Sequence, residues 1–122
     1  MRVLVTGGRK YADRERLFQV MDRVHAAKPI SVLIHGAASG ADQLAAEWAE
    51  LRSVEALSCP PDWRRYGRGA GPMRNRQMLK ERPALLVAFP GGSGTADMIA
   101  VAIKAHIAVL LESEVDFAER MD

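Results

Sequence analysis

The sequence predicts one α/β domain, residues 1–122, with a doubly wound parallel sheet of about five strands in the order 3-2-1-4-5 and helices on both faces. Three observations predict this fold. Short apolar runs alternate with segments of helical periodicity along the chain. The runs are apolar throughout, which is typical of parallel strands covered on both faces. Glycine-rich turns follow the first, second and fourth runs.

Each element has a signal of its own. The strands are predicted at residues 2–6, 31–35, 54–59, 84–89 and 107–111. Helices are predicted at 13–27, with Asp13 as N-cap, at 73–82 and at 95–106. A further helix is predicted to begin after Ser39 as its cap. Its apolar side carries Ala41, Leu44, Ala45, Trp48 and Leu51. Residues 62–72 contain Gly67, Gly69, Gly71 and Pro72 and are predicted to be irregular. The tail from Glu114 is predicted to form a terminal helical turn.

The glycine turns fall on one edge of the predicted sheet. They contain Gly7 and Gly8 after the first strand, Gly36 and Gly40 after the second, and Gly91, Gly92 and Gly94 after the fourth. The predicted order places the first and fourth turns side by side where strand order reverses, and open α/β sheets bind ligands there. Glycines needed only for tight turns could fall at either edge, so this distribution favours a shared site.

The turn after the fourth strand predicts a phosphate site. It reads Pro90-Gly91-Gly92-Ser93-Gly94-Thr95 and leads into an apolar helix. Glycine lets backbone amides approach a ligand closely, and the helix N-terminus adds unpaired N–H groups and a positive dipole end. Thr95 is expected at the helix start, where it could cap the helix or donate its hydroxyl to a phosphate. Ser93 is not in a G-x-S-x-G elbow and has no identifiable base, so a nucleophilic role is not expected.

Several side chains near this edge have a structural and a functional interpretation. His35 could be a hydrogen-bonded structural residue or face a ligand. Asp42, in the first turn of the second helix, could complement the helix dipole, bond ribose hydroxyls or orient His35. Trp63 and Tyr66 lie in an arginine-rich segment and could belong to the core or cover a base.

Composition excludes several classes of protein. The net charge of +2 is too small to indicate nucleic acid by itself, and no apolar stretch reaches the ~20 residues that cross a bilayer. Cys59 is the only cysteine, which excludes an intrachain disulfide and a cysteine metal cluster. The first strand begins at once, so no signal peptide and a cytoplasmic location are expected. The G-x-G-x-x-G and G-x-x-x-x-G-K-[ST] fingerprints are absent, and no metal or cofactor is predicted.

Several motifs in order resemble one family. They are Thr6-Gly7-Gly8-Arg9-Lys10-Tyr11, His35-Gly36-Ala37-Ala38-Ser39-Gly40-Ala41-Asp42, Pro61-Asp62-Trp63, Ala70-Gly71-Pro72-Met73-Arg74-Asn75-Arg76-Gln77-Met78-Leu79 and Phe89-Pro90-Gly91-Gly92-Ser93-Gly94-Thr95. The chain resembles the YspA/YpsA-related branch of the SLOG superfamily over about residues 2–110. This resemblance implies a Rossmann-like fold and a pocket for a ligand such as ADP-ribose or an NAD derivative.

Lonely Guy proteins, which hydrolyse cytokinin nucleoside monophosphates, are more distant relatives. The resemblance carries over Gly91, Gly92, Gly94 and Thr95 of the motif P-G-G-x-G-T-x-x-E, and Arg76 after Met73. Met98 stands where the motif has its glutamate. Asp97 lies one position earlier, which on a helix rotates the side chain by about 100°, and methionine cannot act as a general acid.

The leading expectation is therefore a domain that binds a nucleotide-derived ligand, such as ADP-ribose, an NAD derivative or a nucleoside monophosphate. The alternatives are a phosphoribohydrolase that uses Arg76 with Asp97 or His35, and a single-stranded-DNA-binding accessory protein. Nucleic acid and membrane partners are not expected. The apolar helix segment 98–103 could form a homodimer face or could equally be covered within the chain. The predicted ligand contacts are Gly7, Gly8, Arg9, His35, Gly36, Ser39, Gly40, Asp42, Trp63, Tyr66, Arg74, Asn75, Arg76, Gly91, Gly92, Ser93, Gly94 and Thr95.

Overall fold

Five parallel strands form a single sheet. In the computed structural model, which describes residues 1–115, they are β1 Arg2–Thr6, β2 Val32–His35, β3 Glu55–Ser58, β4 Leu85–Ala88 and β5 Ala108–Leu111. Their order is β3-β2-β1-β4-β5, which confirms the predicted order. β1 lies at the centre, where Val3 is paired with Leu33 of β2 and with Leu85 of β4. Every strand bound lies within one residue of its predicted position.

Two helical layers cover the sheet. The helices are α1 Arg14–Ala27, α2 Ala41–Leu51, α3 Trp63–Tyr66, α4 Ala70–Leu79 and α5 Ser93–Lys104. Val3 packs in one buried cluster with Trp48 of α2, whereas Leu4 packs in another with Met98 of α5. Successive strand residues point to opposite faces, so β1 supplies both cores. The α1–α2 layer and the α4–α5 layer therefore lie on opposite faces, as predicted for a doubly wound sheet.

The expectation that every strand is buried on both faces is wrong at the sheet edges. Glu55, Ala56 and Ser58 of β3 are exposed, and Leu111 of β5 is 38 % exposed. Edge strands have a neighbour on one side only, and the helices cover mainly the centre. The buried core accordingly follows the three central strands.

The prediction of irregular structure for residues 62–72 is also wrong. The segment contains α3, a 3₁₀ turn at Gly67–Gly69 and the start of α4. The Asp62 carboxylate accepts a hydrogen bond from the amide of Arg65 at 3.1 Å and caps α3. Pro72 lies in the first turn of α4, where a missing N–H is tolerated. The glycines and the proline of segment 62–72 are typical of loops, and for that reason the sequence pattern did not predict these helical turns.

Two predicted helix starts are corrected. Ser39 does not cap α2, because its hydroxyl donates to the carbonyl of Arg9 at 3.2 Å and Gly40 occupies the cap position. α5 begins at Ser93, so Thr95 lies within its first turn, and Thr95 is only 8 % exposed. Asp13 caps α1 as predicted, with its carboxylate accepting from the amide of Arg16 at 3.1 Å. Leu51 at the end of α2 is 57 % exposed, so it does not belong to the buried side of that helix.

The two remaining helix ends and the tail differ from their predictions. α4 ends at Leu79, before the predicted end at residue 82, where Arg82 has a positive φ of 56°. α5 ends at Lys104, two residues before its predicted end. Glu112–Glu114 form a 3₁₀ turn, and the rest of the predicted terminal turn lies outside the described residues. Among residues 1–115, no helix has the length and apolar character that crossing a membrane requires.

Candidate functional site

The three glycine-containing loops interlock at the carboxyl edge of the sheet. The amide of Gly8, after β1, donates to the carbonyl of Pro90, after β4, at 2.8 Å. The carbonyl of Gly8 in turn accepts from the amide of Ala41, at the start of α2, at 3.1 Å. The loop after β1 therefore fixes the positions of the other two loops.

Four of the predicted ligand-contacting glycines serve this packing. A Cβ atom at Gly91 would lie 2.7 Å from the amide nitrogen of Gly8, and one at Gly8 would lie 2.9 Å from the carbonyl of Pro90. A Cβ at Gly7 would meet Ala41 at 2.5 Å, and Gly40 has a φ of +74° beside the backbone of Gly8 and Arg9. Their missing side chains let the loops approach one another.

Gly92 and Gly94 differ from these glycines. A Cβ at either position would have no heavy atom within 4 Å in the described part of the chain. Both residues line a cavity of about 750 Å³, a size typical of small-molecule sites. Space at these two positions is therefore open to a ligand.

The cavity brings many of the predicted residues together. Those that line it are Gly7, Gly8, Arg9, Asp42, Trp63, Arg74, Asn75, Gly92, Ser93, Gly94, Thr95 and Asp97. Its lining does not include His35, Gly36, Ser39, Gly40, Tyr66, Arg76 or Gly91. It adds residues that sequence reasoning did not select, namely Val5, Thr6, Ala38, Arg68, Gly71, Pro72 and Met78. Of these, Arg68 lies in the recognised arginine-rich segment, which was its signal in the sequence.

The first turn of α5 presents unpaired donors to this cavity. The first amide bonded within the helix is that of Ala96, which donates to the carbonyl of Gly92 at 3.0 Å. Within residues 1–115, no acceptor is found for the amides of Ser93, Gly94 and Thr95. These three residues line the cavity, so their N–H groups and the positive end of the helix dipole lie at its wall.

Asn75 connects this wall to an arginine. It is only 3 % exposed, and its Nδ2 donates to Asp97 Oδ2 at 2.9 Å and to the carbonyl of Gly94 at 3.3 Å. Its Oδ1 accepts from Arg74 Nε at 3.1 Å. A second nitrogen of Arg74, Nη1, donates to the carbonyl of Gly36. Asn75 thus holds Arg74 between α4 and the loop after β2.

Asp42 anchors the loop after β2. Its Oδ2 accepts from the amide of Gly36 at 3.0 Å and from that of Ala38 at 3.3 Å. The residue is 6 % exposed, and burial raises the pKa of its carboxyl above the ordinary value, although both loop amides, His35 and Arg74 act in the opposite direction. Its charge is therefore held at a cost in desolvation beside the cavity.

His35 has a structural contact in the same loop. Its Nδ1 accepts from the amide of Ala37 at 3.0 Å, which requires that nitrogen to be unprotonated. Burial, followed by the charge of Arg74, lowers the pKa of His35, whereas Asp42 acts to raise it. His35 is 7 % exposed, and this burial favours the neutral imidazole that accepts from the amide of Ala37.

The glutamate position of the Lonely Guy motif lies in the core. Met98 is fully buried against the sheet, while Asp97 lines the cavity. Arg76 is outside the cavity lining: its Nη1 donates to the carbonyl of Pro72 at 2.8 Å and lies 3.6 Å from Asp97 Oδ2. The cavity therefore has a carboxylate one position before the motif's glutamate.

The two aromatic candidates separate. Trp63 is 50 % exposed and lines the cavity, and Arg9 Cζ lies 5.9 Å from its ring centroid. Tyr66 lies beside Arg65 instead, with 5.3 Å from Arg65 Cζ to its ring centroid. Trp63 is thus the aromatic residue that can reach a ligand.

In the described segment 1–115, no group of three or more His, Cys, Asp or Glu residues is arranged to hold a metal ion.

Comparisons with known proteins identify the family. The model of the YspA, cpYpsA-related SLOG family matches residues 1–66, which include the loops after β1 and β2. The chain belongs to this family. The gene 61 protein of Mycobacterium phage D29 is similar to this SLOG chain, at 35% identity over 117 residues that cover 89% of the chain and 94% of the relative. Membership confirms the resemblance in the sequence and suggests a ligand-binding role related to nucleotides.

Proposed function

We propose that this SLOG domain binds a nucleotide-derived ligand, such as ADP-ribose, an NAD derivative or a nucleoside monophosphate, with a phosphate on the amides of Ser93, Gly94 and Thr95. The observation that carries the proposal is the set of three unpaired amides that open into the 750 Å³ cavity beside Gly92. Backbone N–H groups at a helix N-terminus are a favourable environment for a phosphate.

The other residues that line the cavity favour a nucleotide over an inorganic anion as the ligand. Arg68 and Arg74 add positive charge along the lining, and Trp63 offers a half-exposed ring for stacking. Both loop amides bond to Asp42 Oδ2, which leaves Oδ1 as an acceptor for a ligand hydroxyl. Phosphate, sugar and base each have a chemically suited partner around one cavity.

Calorimetric titration with AMP, ADP-ribose and NAD tests the proposal. At least one should bind, and Gly92→Val should weaken that binding at least tenfold, because its side chain enters the open space beside the amides. Gly69→Val is the matched control, since Gly69 also has open space around it and is absent from the cavity lining. Absence of binding by all three compounds up to millimolar concentration would refute the proposal, as would equal affinities in the two variants.

A hydrolytic activity on the same ligand is a second candidate, favoured by the position of Asp97 in the cavity wall. Hydrogen bonding from Asn75 and the nearby Arg76 guanidinium hold its carboxylate in place. This candidate predicts release of ribose 5-phosphate from AMP, with a loss of at least a hundredfold in Asp97→Asn. Binding without release, or release unaffected by Asp97→Asn, would exclude this mechanism.

A further inference from the structure

A smaller cavity of about 220 Å³ lies beside the main one. The loop of residues 36–39 forms one wall, and Arg9, Trp63 and Arg74 form the other. These three side chains, together with Ala38, also line the main cavity. We refer to this space as the side cavity, and it adjoins the main cavity at these shared residues.

The lining of the side cavity contains two positive charges and no negative one. Arg9 and Arg74 both line it, and no Asp or Glu residue does. Within the described part of the chain, neither arginine has a carboxylate oxygen at salt-bridge distance. The polar partners of Arg74 are neutral oxygens, those of Gly36 and Asn75, and Arg9 lies over the ring of Trp63.

The two charges are close enough to affect each other. Burial lowers the pKa of Arg74 and Asp42 acts to raise it, while the positive charge of Arg9 lowers it and Cys59 acts to raise it. Asp42 lies on the wall of the main cavity, and its Oδ2 is already engaged by the loop amides. An anion between the two guanidinium groups would be attracted to both and would offset their mutual repulsion.

The site is also built in advance. Asn75 fixes Arg74 from α4, and Gly36 lacks the Cβ that would collide with the Arg74 guanidinium. Ala37 has a positive φ of 59°, a conformation that is unfavourable for a residue with a side chain. Such strain persists where the surrounding structure enforces it, and here it shapes the wall that faces the two arginines.

The size of the side cavity defines what it can hold. Sites for complete small molecules usually measure about 300–1,000 Å³. The main cavity lies within this range, and the side cavity at about 220 Å³ lies below it. It therefore suits one substituent of a ligand whose remainder occupies the main cavity.

We propose that the side cavity is a second anion subsite, which binds a phosphoryl group of the ligand other than the one at the α5 amides. The ligand class is then a nucleotide that carries more than one phosphoryl group, either in a diphosphate or on two positions of the sugar. This inference rests on the proposed function for the first phosphate. Guanidinium groups suit a phosphoryl group because they donate in pairs to its oxygens.

The first test compares ADP and adenosine 3′,5′-bisphosphate with AMP by calorimetry. At least one of the two should bind ten times more tightly than AMP, and which one does shows how the second phosphoryl group is attached. Arg9→Gln should lose at least ten times more affinity for that nucleotide than for AMP, and Arg9→Lys should recover part of that loss. Arg65→Gln is the control, because Arg65 lies on α3 outside both cavities. Equal affinities of all three nucleotides, or an equal loss in Arg9→Gln for AMP and for the tighter nucleotide, would overturn the proposal.

The second test separates this proposal from the proposed function. Inorganic phosphate is titrated into the ¹⁵N-labelled protein, and the amide resonances of Gly36–Ser39 and of Ser93–Thr95 are followed independently. Arg9→Gln should abolish the shifts at 36–39 and retain those at 93–95. Shifts at 36–39 alone would refute the α5 phosphate site and keep the side-cavity subsite, whereas shifts at 93–95 alone would refute the subsite. Unchanged folding of the variant is checked by its thermal melt.

Discussion

Arginine side chains are paired with carboxylates in the α1–α2 layer and are not paired with carboxylates around the two cavities, within the described residues. In the layer, Arg14 lies 2.9 Å from a carboxylate oxygen of Glu47, and Arg52 lies 2.8 Å from one of Asp22. Around the cavities, Arg9, Arg68 and Arg74 have no carboxylate at salt-bridge distance in the described residues. Paired surface charges add little to stability, whereas unpaired charges at a concave wall remain available to a ligand. The difference distinguishes arginines that are paired within the α1–α2 layer from arginines whose charge stays unpaired at the cavity wall.

The two tryptophans give the largest expected contrast between these regions. Trp48 is fully buried between α1 and the sheet, and its Nε1 donates to Asp22 Oδ1 at 2.8 Å. Trp48→Ala should lower the free energy of unfolding by about 3–5 kcal/mol, because it leaves a large cavity and removes the indole hydrogen bond to Asp22. Urea unfolding, monitored by circular dichroism, measures this decrease in the free energy of unfolding.

Trp63→Ala is the matched control. Trp63 is half-exposed at the cavities, so the same substitution should change the free energy of unfolding by no more than about 0.5 kcal/mol. Ligand affinity should fall in this variant, since the ring lines both cavities. A loss of stability comparable to that of Trp48→Ala would show that the cavity wall belongs to the folding core and would remove the contrast.

Two buried or partly buried acids should respond to pH with opposite signs. Hydrogen bonding from Arg52 and Trp48 lowers the pKa of Asp22, whereas burial raises that of Asp42. A lowered folded-state pKa contributes stability that is present above the unfolded pKa, about 3.9, and is lost as pH falls through the folded pKa. A raised folded-state pKa makes the ionised carboxylate unfavourable at neutral pH, and that penalty disappears as pH falls from the folded pKa to below the unfolded one.

The corresponding asparagine variants make this testable. At pH 7, Asp22→Asn should lower the urea midpoint and Asp42→Asn should raise it, because the amide oxygen of the latter can still accept from the loop amides. Both differences should shrink when the measurement is repeated at pH 3. If both variants are destabilised by the same amount at pH 7, Asp42 stabilises the fold like Asp22, and the loop charge is not a cost of the site.

The sequence predicted the strands, their order and the loop edge because each depends on local apolar runs and glycine turns. It could not separate Gly91 from Gly92, since only tertiary contacts show that a Cβ at Gly91 would collide with the loop after β1. It also left open whether the segment 98–103 of α5 forms a dimer face or is covered within the chain. In the fold, Met98 and Ala102 are fully buried, whereas Ile103 is 60 % exposed. Which helix face meets the sheet depends on the packing of α5, which the apolar composition alone did not fix.

Asn75 and Arg76 illustrate the same limit within the site. The sequence grouped both with Arg74 as ligand contacts. In the fold, Asn75 Nδ2 donates to Asp97 and to the carbonyl of Gly94, and its Oδ1 accepts from Arg74, so it positions these groups while it lines the cavity. Arg76 lies outside the cavity lining and donates to the carbonyl of Pro72. Hydrogen bonds between residues distant in sequence determine these roles, and no spacing rule in the chain contains them.

The smallest expected effect concerns backbone strain in the loop after β2. Ala37 has a φ of 59°, whereas the φ of Ala38 is not positive. Ala37→Gly relieves the strain but adds freedom to the unfolded chain, so it should raise the free energy of unfolding by about 0.5 kcal/mol. Ala38→Gly gains no such relief and should lower it by about 0.5–1 kcal/mol. Urea unfolding of the two variants under identical conditions measures both, and equal losses would mean that the loop is unstrained and that the cavity wall needs no enforcement by its surroundings.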